Sequence, residues 1–253
     1  MRMAIEDLRL FYGEPSGRLV RRLLADRLET AWGEADGCDV LGLGYATPWL
    51  GAFVGARRLI AAMPSGQGVE AWPRGARNRS VLVDDRALPF AAGSFDRVLV
   101  VHALEEADDV RALMAEAIRV LTPAGRIILV AAARGGLWAR AESTPFGHGR
   151  PFTRRQLERL VREVGLEPAA WSQTLYVPPW PVLYGMADGL EQVGRRVVPG
   201  AAGLILLEAT RHAYARVQPV GAVERVPLRD AALQPSPAGR GASRALVQPG
   251  EHA

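Results

Sequence analysis

Apolar and polar positions follow two periods along this chain. Over residues 15–32, Leu19, Leu23, Leu24, Leu28 and Trp32 recur at the spacing of one helix face, and Pro15-Ser16 opens the run. A second amphipathic helix spans Val110–Leu121, with Val110, Leu113, Met114, Ala117, Ile118 and Leu121 on its apolar side. Between and after these lie short, nearly continuous apolar runs. They are Cys38–Gly44, Arg58–Met63 (stopped by Pro64), Ser80–Val83, Phe95–Val101 and Arg126–Ala131, the last after a Thr122–Gly125 turn. Thr47-Pro48 predicts a helix start, with Thr47 as cap and Pro48 at the first position, running to about Ala56. Apolar strands alternating with helices imply a parallel sheet covered on both faces. Glycine at the end of the first strand puts a ligand crevice there, at the carboxyl edge of the sheet.

After the fifth strand the pattern changes. Residues 134–152 read as a long loop rich in Gly, Pro and aromatics, and loops of that length usually carry function or are disordered. Thr153–Val164 predicts a helix, Trp171–Val177 a strand, residues 179–197 an inserted helix, and Gly203–Glu208 the last strand. The expected organisation is an N-terminal helical segment (1–36), one α/β domain (37–216) and a disordered tail rich in Pro, Gly and Arg (217–253).

Composition narrows the chemistry. All 31 basic side chains of the 253 residues are arginine, so a lysine Schiff base and a Walker-type phosphate loop are excluded. The net charge of +4 is scattered, which argues against nucleic acid as a partner. A lone cysteine, Cys38, excludes an internal disulfide and a cysteine-based zinc site. His148, His212 and His252 are too far apart to suggest a metal site, and none is expected. No run of about 18 apolar residues predicts a membrane span. Met1–Asp7 does not read as a signal peptide, so the expected location is cytoplasmic.

The segment Leu88-Pro89-Phe90-Ala91-Ala92-Gly93-Ser94-Phe95-Asp96-Arg97-Val98 resembles the L-P-F-x-x-x-S-F-D-x-V stretch of class I S-adenosylmethionine-dependent methyltransferases, in their small-molecule and quinone-type branch. Arg119–Arg126 is similar to that family's turn before the fifth strand, and His102-Ala103-Leu104-Glu105 to its segment after the fourth. The resemblance implies a Rossmann-like α/β sheet, mostly parallel, of seven strands with the last antiparallel, and S-adenosylmethionine as cofactor without a metal. It also implies a cofactor site at Gly44, Tyr45, Ala46, Asp84, Asp85, Leu88 and His102. The glycine-rich turn departs from the family pattern. Gly44 alone keeps its glycine, Gly42 replaces the acid, and Ala46 and Pro48 stand in the loop. Met63 occupies the place of the carboxylate that would take the ribose hydroxyls. Losing one such charged hydrogen bond costs about 1.5–3 kcal/mol, an order of magnitude in affinity or more. Glu70 or a backbone group is a candidate substitute.

On the acceptor side, Tyr12, Trp138 and Arg150 are the candidate substrate contacts, with Arg150 placed to clamp a carboxylate or phosphate. His148 is the candidate catalytic base, although positioning alone can drive transfer from an activated sulfonium. Glu105 and Glu106 read as decoration of a solvated helix start. Two functions follow. One is methyl transfer to an unknown small molecule or protein side chain. The other is a catalytically silent methyltransferase fold serving as a binding or regulatory subunit, with a protein partner reached through the tail or the inserted helix.

Overall fold

The computed structural model describes residues 2–211, so the expectation for 217–253 lies outside the described residues. Seven strands form one sheet in the order β3-β2-β1-β4-β5-β7-β6. They are β1 (Asp39–Gly44), β2 (Arg58–Pro64), β3 (Ser80–Val83), β4 (Phe95–Val101), β5 (Leu121–Ala132), β6 (Leu166–Thr174) and β7 (Leu204–Arg211). The pairs from β3 to β5 are parallel, whereas β7 runs antiparallel to both β5 and β6. Alternate residues of each central strand feed two separate cores. Val40, Leu99, Val101, Ile128 and Val130 face one side, and Leu41, Leu43, Val98, Val100, Ile127 and Leu129 face the other. Burial on both faces is why these strands read as unbroken apolar runs.

The first face is covered by α1 (Ile5–Gly13), α2 (Pro15–Trp32) and α6 (Ala187–Val197). The second is covered by α4 (Val110–Val120) and α5 (Arg154–Glu163). Each of the latter two starts on a side-chain cap. Asp109 accepts from the amides of Arg111 and Ala112, and Thr153 forms a reciprocal capping box with Gln156.

Several boundaries differ from the sequence expectation. The helix expected over 47–56 is a single turn, α3 (Thr47–Leu50), capped by Ala46 rather than Thr47 and followed by Gly51. The Thr122–Gly125 turn lies inside β5, where the register shifts between Phe95 and Arg97. The sixth strand begins at Leu166, directly after Gly165 at φ +85, and ends before Tyr176 and Val177. Those two residues instead direct their amides at the buried carboxylate of Glu191. The inserted segment splits into a 3-10 turn, Pro181–Met186, and α6. The long loop holds two further 3-10 turns, Trp138–Arg140 and Pro145–Gly147. The helix α1 lies inside the expected N-terminal helical segment 1–36, ahead of the helix that opens at Pro15.

Candidate functional site

The carboxyl edge of the sheet begins at Gly44. Its φ is +87, and a Cβ there would run into the carbonyl of Val101 and the Ala103 methyl group, so only glycine lets β1 turn over the end of β4. The amide of Tyr45 then donates to the Val101 carbonyl at 2.9 Å. A Cβ at Gly42 would lie 2.7 Å from the Ala46 methyl and 2.8 Å from Leu50. The helix α3 therefore sits directly on β1, in the space an acidic side chain at position 42 would need. Ala46 and Met63 are fully buried.

What covers this edge comes from the N-terminus. Tyr12 stacks on Tyr45 with ring centres 5.6 Å apart and meets Trp49 edge-on at 5.3 Å. The Tyr12 hydroxyl and Nε2 of His102 share a hydrogen bond of 2.6 Å. The amide of Ile5 donates to the carbonyl of Gln67, the amide of Met3 to Glu106, and the Arg2 guanidinium pairs with Asp85. Gln67 closes the gap from below by donating its side-chain amide to the His102 carbonyl at 3.1 Å. Beside it, among Met3, Leu8, Gln67, His102 and Glu105, remains a cavity of about 10 Å³, room for one water. Buried and without a hydrogen-bond partner, Oε1 of Gln67 and Oε2 of Glu105 belong to the side chains around it.

Burial sets the protonation states here. His102, away from solvent, has its pKa pushed down to about 3, so it is neutral at pH 7. Burial pushes Glu105 up to about 7, partly offset by the Ala132 amide that donates to its Oε1 at 2.7 Å. Tyr45 rises to about 12 through burial, with the Glu70 carboxylate adding to the effect, and Tyr12 rises well above its usual value. Glu105 is thus a buried carboxyl at the end of β4, not a solvated helix-start residue. The signal missed was its place directly after the apolar His102–Leu104 run.

The structure brings Tyr12, Tyr45 and His102 together in this cluster, with Gly44 and Ala46 beneath. Trp138 joins through Phe146, whose ring centre lies 5.0 Å from that of His102 and 6.0 Å from that of Trp138. Trp138 is itself buried and donates its indole N–H to the carbonyl of Val177 at 2.7 Å. Asp85 reaches the cluster only through Arg2. Asp84 is exposed and accepts from the Arg86 amide at 2.9 Å, which holds its carboxyl below the usual range. Leu88 packs in the opposite core, and its amide donates to Glu116 at 2.7 Å. His148 is exposed and bonds the carbonyl of Glu142 at 2.9 Å. Arg150 lies apart, its guanidinium donating to the carbonyl of Ala107. Glu70 stands near the end of β2, where it accepts from the hydroxyl of Thr47 at 2.9 Å.

Residues 38–129, from the start of β1 into β5, match a family model described as a methyltransferase domain. Together with the strand order this decides the fold. It is the Rossmann-like fold of class I methyltransferases. Demethylmenaquinone methyltransferases from two strains of Tropheryma whipplei are 32% identical over 108 residues, covering 42% of this chain. That match spans only 43% of the relatives' own length. Among solved structures, a methyltransferase of Thermotoga maritima superposes with a TM-score of 0.58 at 16% identity, covering 82% of this chain and 96% of that one. A methyltransferase in complex with the Trm112 activator of Haloferax volcanii superposes at 0.57 with 17% identity, covering 83% and 99%. These likenesses concern the fold.

With α1 in place, the rings of Tyr12, Tyr45 and Trp49 pack against one another beyond β1 and are nearly fully buried, so an adenosyl cofactor does not fit among them in this closed arrangement. Among the described residues no helix is long and apolar enough to cross a membrane, and no cluster of His, Cys, Asp and Glu could hold a metal ion.

Proposed function

We propose that this chain is an S-adenosylmethionine-dependent methyltransferase of a small acceptor, and that α1 is a removable cover over its cofactor cleft. The observation that carries this reading is where the filling comes from. Leu8 and Tyr12 belong to α1, which precedes the matched region 38–129. The hydroxyl–imidazole bond, the ring stack and the Arg2–Asp85 pair could all be undone without opening the sheet. Beneath the cover, the Gly44 turn and the half-buried Glu70 carboxylate at the end of β2 remain to receive a ligand. The named quinone methyltransferases among the relatives support a small, ring-bearing acceptor over a protein side chain.

A second reading, a methyltransferase fold that does not bind the cofactor, is favoured by Ala46 and Met63. Both are fully buried where the family places a glycine and a carboxylate. Calorimetric titration of S-adenosylmethionine and S-adenosylhomocysteine into the purified chain separates the two. Micromolar binding supports the enzyme; no heat at millimolar ligand leaves the second reading.

A further inference from the structure

A second hollow, an open groove, lies at the same edge of the sheet beyond β4 and β5. Its volume is about 380 Å³, within the range of pockets for small metabolites. Its wall is built from the segment before α4, the chain leaving β5 and the first turns of α5.

The wall is rich in hydrogen-bond donors. Arg134, Arg150 and Arg159 line it, and none of the three has a carboxylate partner among the described residues. Arg134 and Arg150 are rooted in rigid backbone. The amide of Arg134 donates to the carbonyl of Phe152 at 2.9 Å, and the Phe152 amide returns a bond to the carbonyl of Ala132. Arg150 is pinned twice, by its amide on the carbonyl of Glu105 at 2.8 Å and by its guanidinium on the carbonyl of Ala107 at 2.7 Å. The Arg134 guanidinium also donates Nε and Nη2 to the carbonyl of Pro151 at 3.4 and 3.2 Å, so each of the two guanidinium groups still has donors left in its five-donor fork. Arg111 and Glu163, also in the wall, satisfy each other at 2.8 Å, and Asp109 is spent on the α4 cap. Asp108 is exposed and has no ion pair among the described residues, so it supplies an acceptor. The Phe152 ring offers an apolar surface.

We propose that this cavity binds a small molecule bearing a carboxylate or phosphate group, gripped by Arg134, Arg150 and Arg159. A hydroxyl or amino group of the same molecule meets Asp108. Guanidinium groups suit either oxyanion because their paired N–H groups match two oxygens at once. The volume exceeds what one phosphate ion fills, so the ligand extends past its anionic end along Phe152. The site goes beyond the proposed methyl transfer and stands if the cofactor never binds.

The probes are inorganic phosphate, pyrophosphate and citrate. They are titrated calorimetrically into the full chain, with sodium chloride at equal ionic strength as the control because long-range attraction is screened by salt. We expect saturable binding of pyrophosphate or citrate. The double variant Arg134→Ala/Arg159→Ala should bind it tenfold to a hundredfold more weakly. The exposed pair Arg195→Ala/Arg196→Ala on α6 removes the same charge elsewhere and should bind as the parent does. Preference for pyrophosphate names a phosphoryl ligand, and preference for citrate a polycarboxylate. The site is refuted if heats match the sodium chloride control, or if both double variants lose affinity equally. Circular dichroism of each variant verifies the fold.

Discussion

The two ends of the carboxyl edge are built from opposite solutions. Beyond β1 and β2 the chain packs its own rings over the crevice, beside a cavity of about 10 Å³. Beyond β4 and β5 it leaves about 380 Å³ open, lined by four arginines and three carboxylates. One residue separates them. Glu105 turns its side chain into the closed cluster and its carbonyl toward the Arg150 amide of the open wall. Closure is therefore not a general property of this edge. It follows from one helix carrying Leu8 and Tyr12 at the right distance from the start of the domain.

The largest expected contrast is in stability. Tyr12→Ala removes a buried ring, its stack on Tyr45 and its bond to His102, and should cost about 3–5 kcal/mol in urea unfolding. Arg134→Ala, on the exposed wall, should change the same measurement by about 0.5 kcal/mol or less. Equal losses from the two would erase the distinction between a packed and an open end.

Protonation gives a contrast of about 3 kcal/mol. Glu105 titrates near 4.5 when unfolded and near 7 when folded, so the native state holds the proton more tightly. Its contribution is fully present below pH 4.5 and is lost as pH rises through 7. Glu105→Gln should therefore gain on the parent by about 3 kcal/mol between those limits. His102 has the opposite sign. Its folded value near 3 lies below 6.5, so its contribution is present above pH 6.5 and is lost as pH falls toward 3. A His102→Gln variant should flatten the acid limb of the stability profile. Parallel pH profiles for parent and variants would show that neither group is desolvated as placed.

A smaller effect is expected at the tether. Arg2→Ala leaves Asp85 partly buried without its partner, at about 1 kcal/mol. It should raise amide exchange across residues 5–13 several-fold while exchange in β4 stays unchanged. A uniform rise over both segments would mean that α1 is part of the global unfolding unit and not a separate cover.

The sheet was legible in the sequence because strands buried on both faces carry their signal locally, as Val98–Val101 and Ile127–Val130 do. The departures at Gly42, Ala46 and Met63 were also legible against the family motif. Their consequence was not. The contact that closes the cleft joins Tyr12 to His102 across 90 positions, and no local period encodes it. Ile5, Leu8 and Tyr12 do fall on one helix face, and that spacing was the available sign of α1. The sixth strand was misplaced for a physical reason too. Tyr176 and Val177 look like strand residues but are held outside the sheet by Glu191. In the open wall, Arg150 stood out for its neighbours in the loop, whereas Arg134 and Arg159 become partners only through the pairing of Ala133 with Phe152.

The most direct measurement compares the affinity of the parent chain for S-adenosylhomocysteine with those of Tyr12→Ala and Arg2→Ala, by calorimetry at one pH. If α1 competes with the cofactor for the same space, weakening its hold raises the apparent affinity by the change in the open population. The account predicts at least a tenfold tighter constant for Tyr12→Ala and a smaller gain for Arg2→Ala. Unchanged or weaker binding in both variants, with their folds intact, would contradict it.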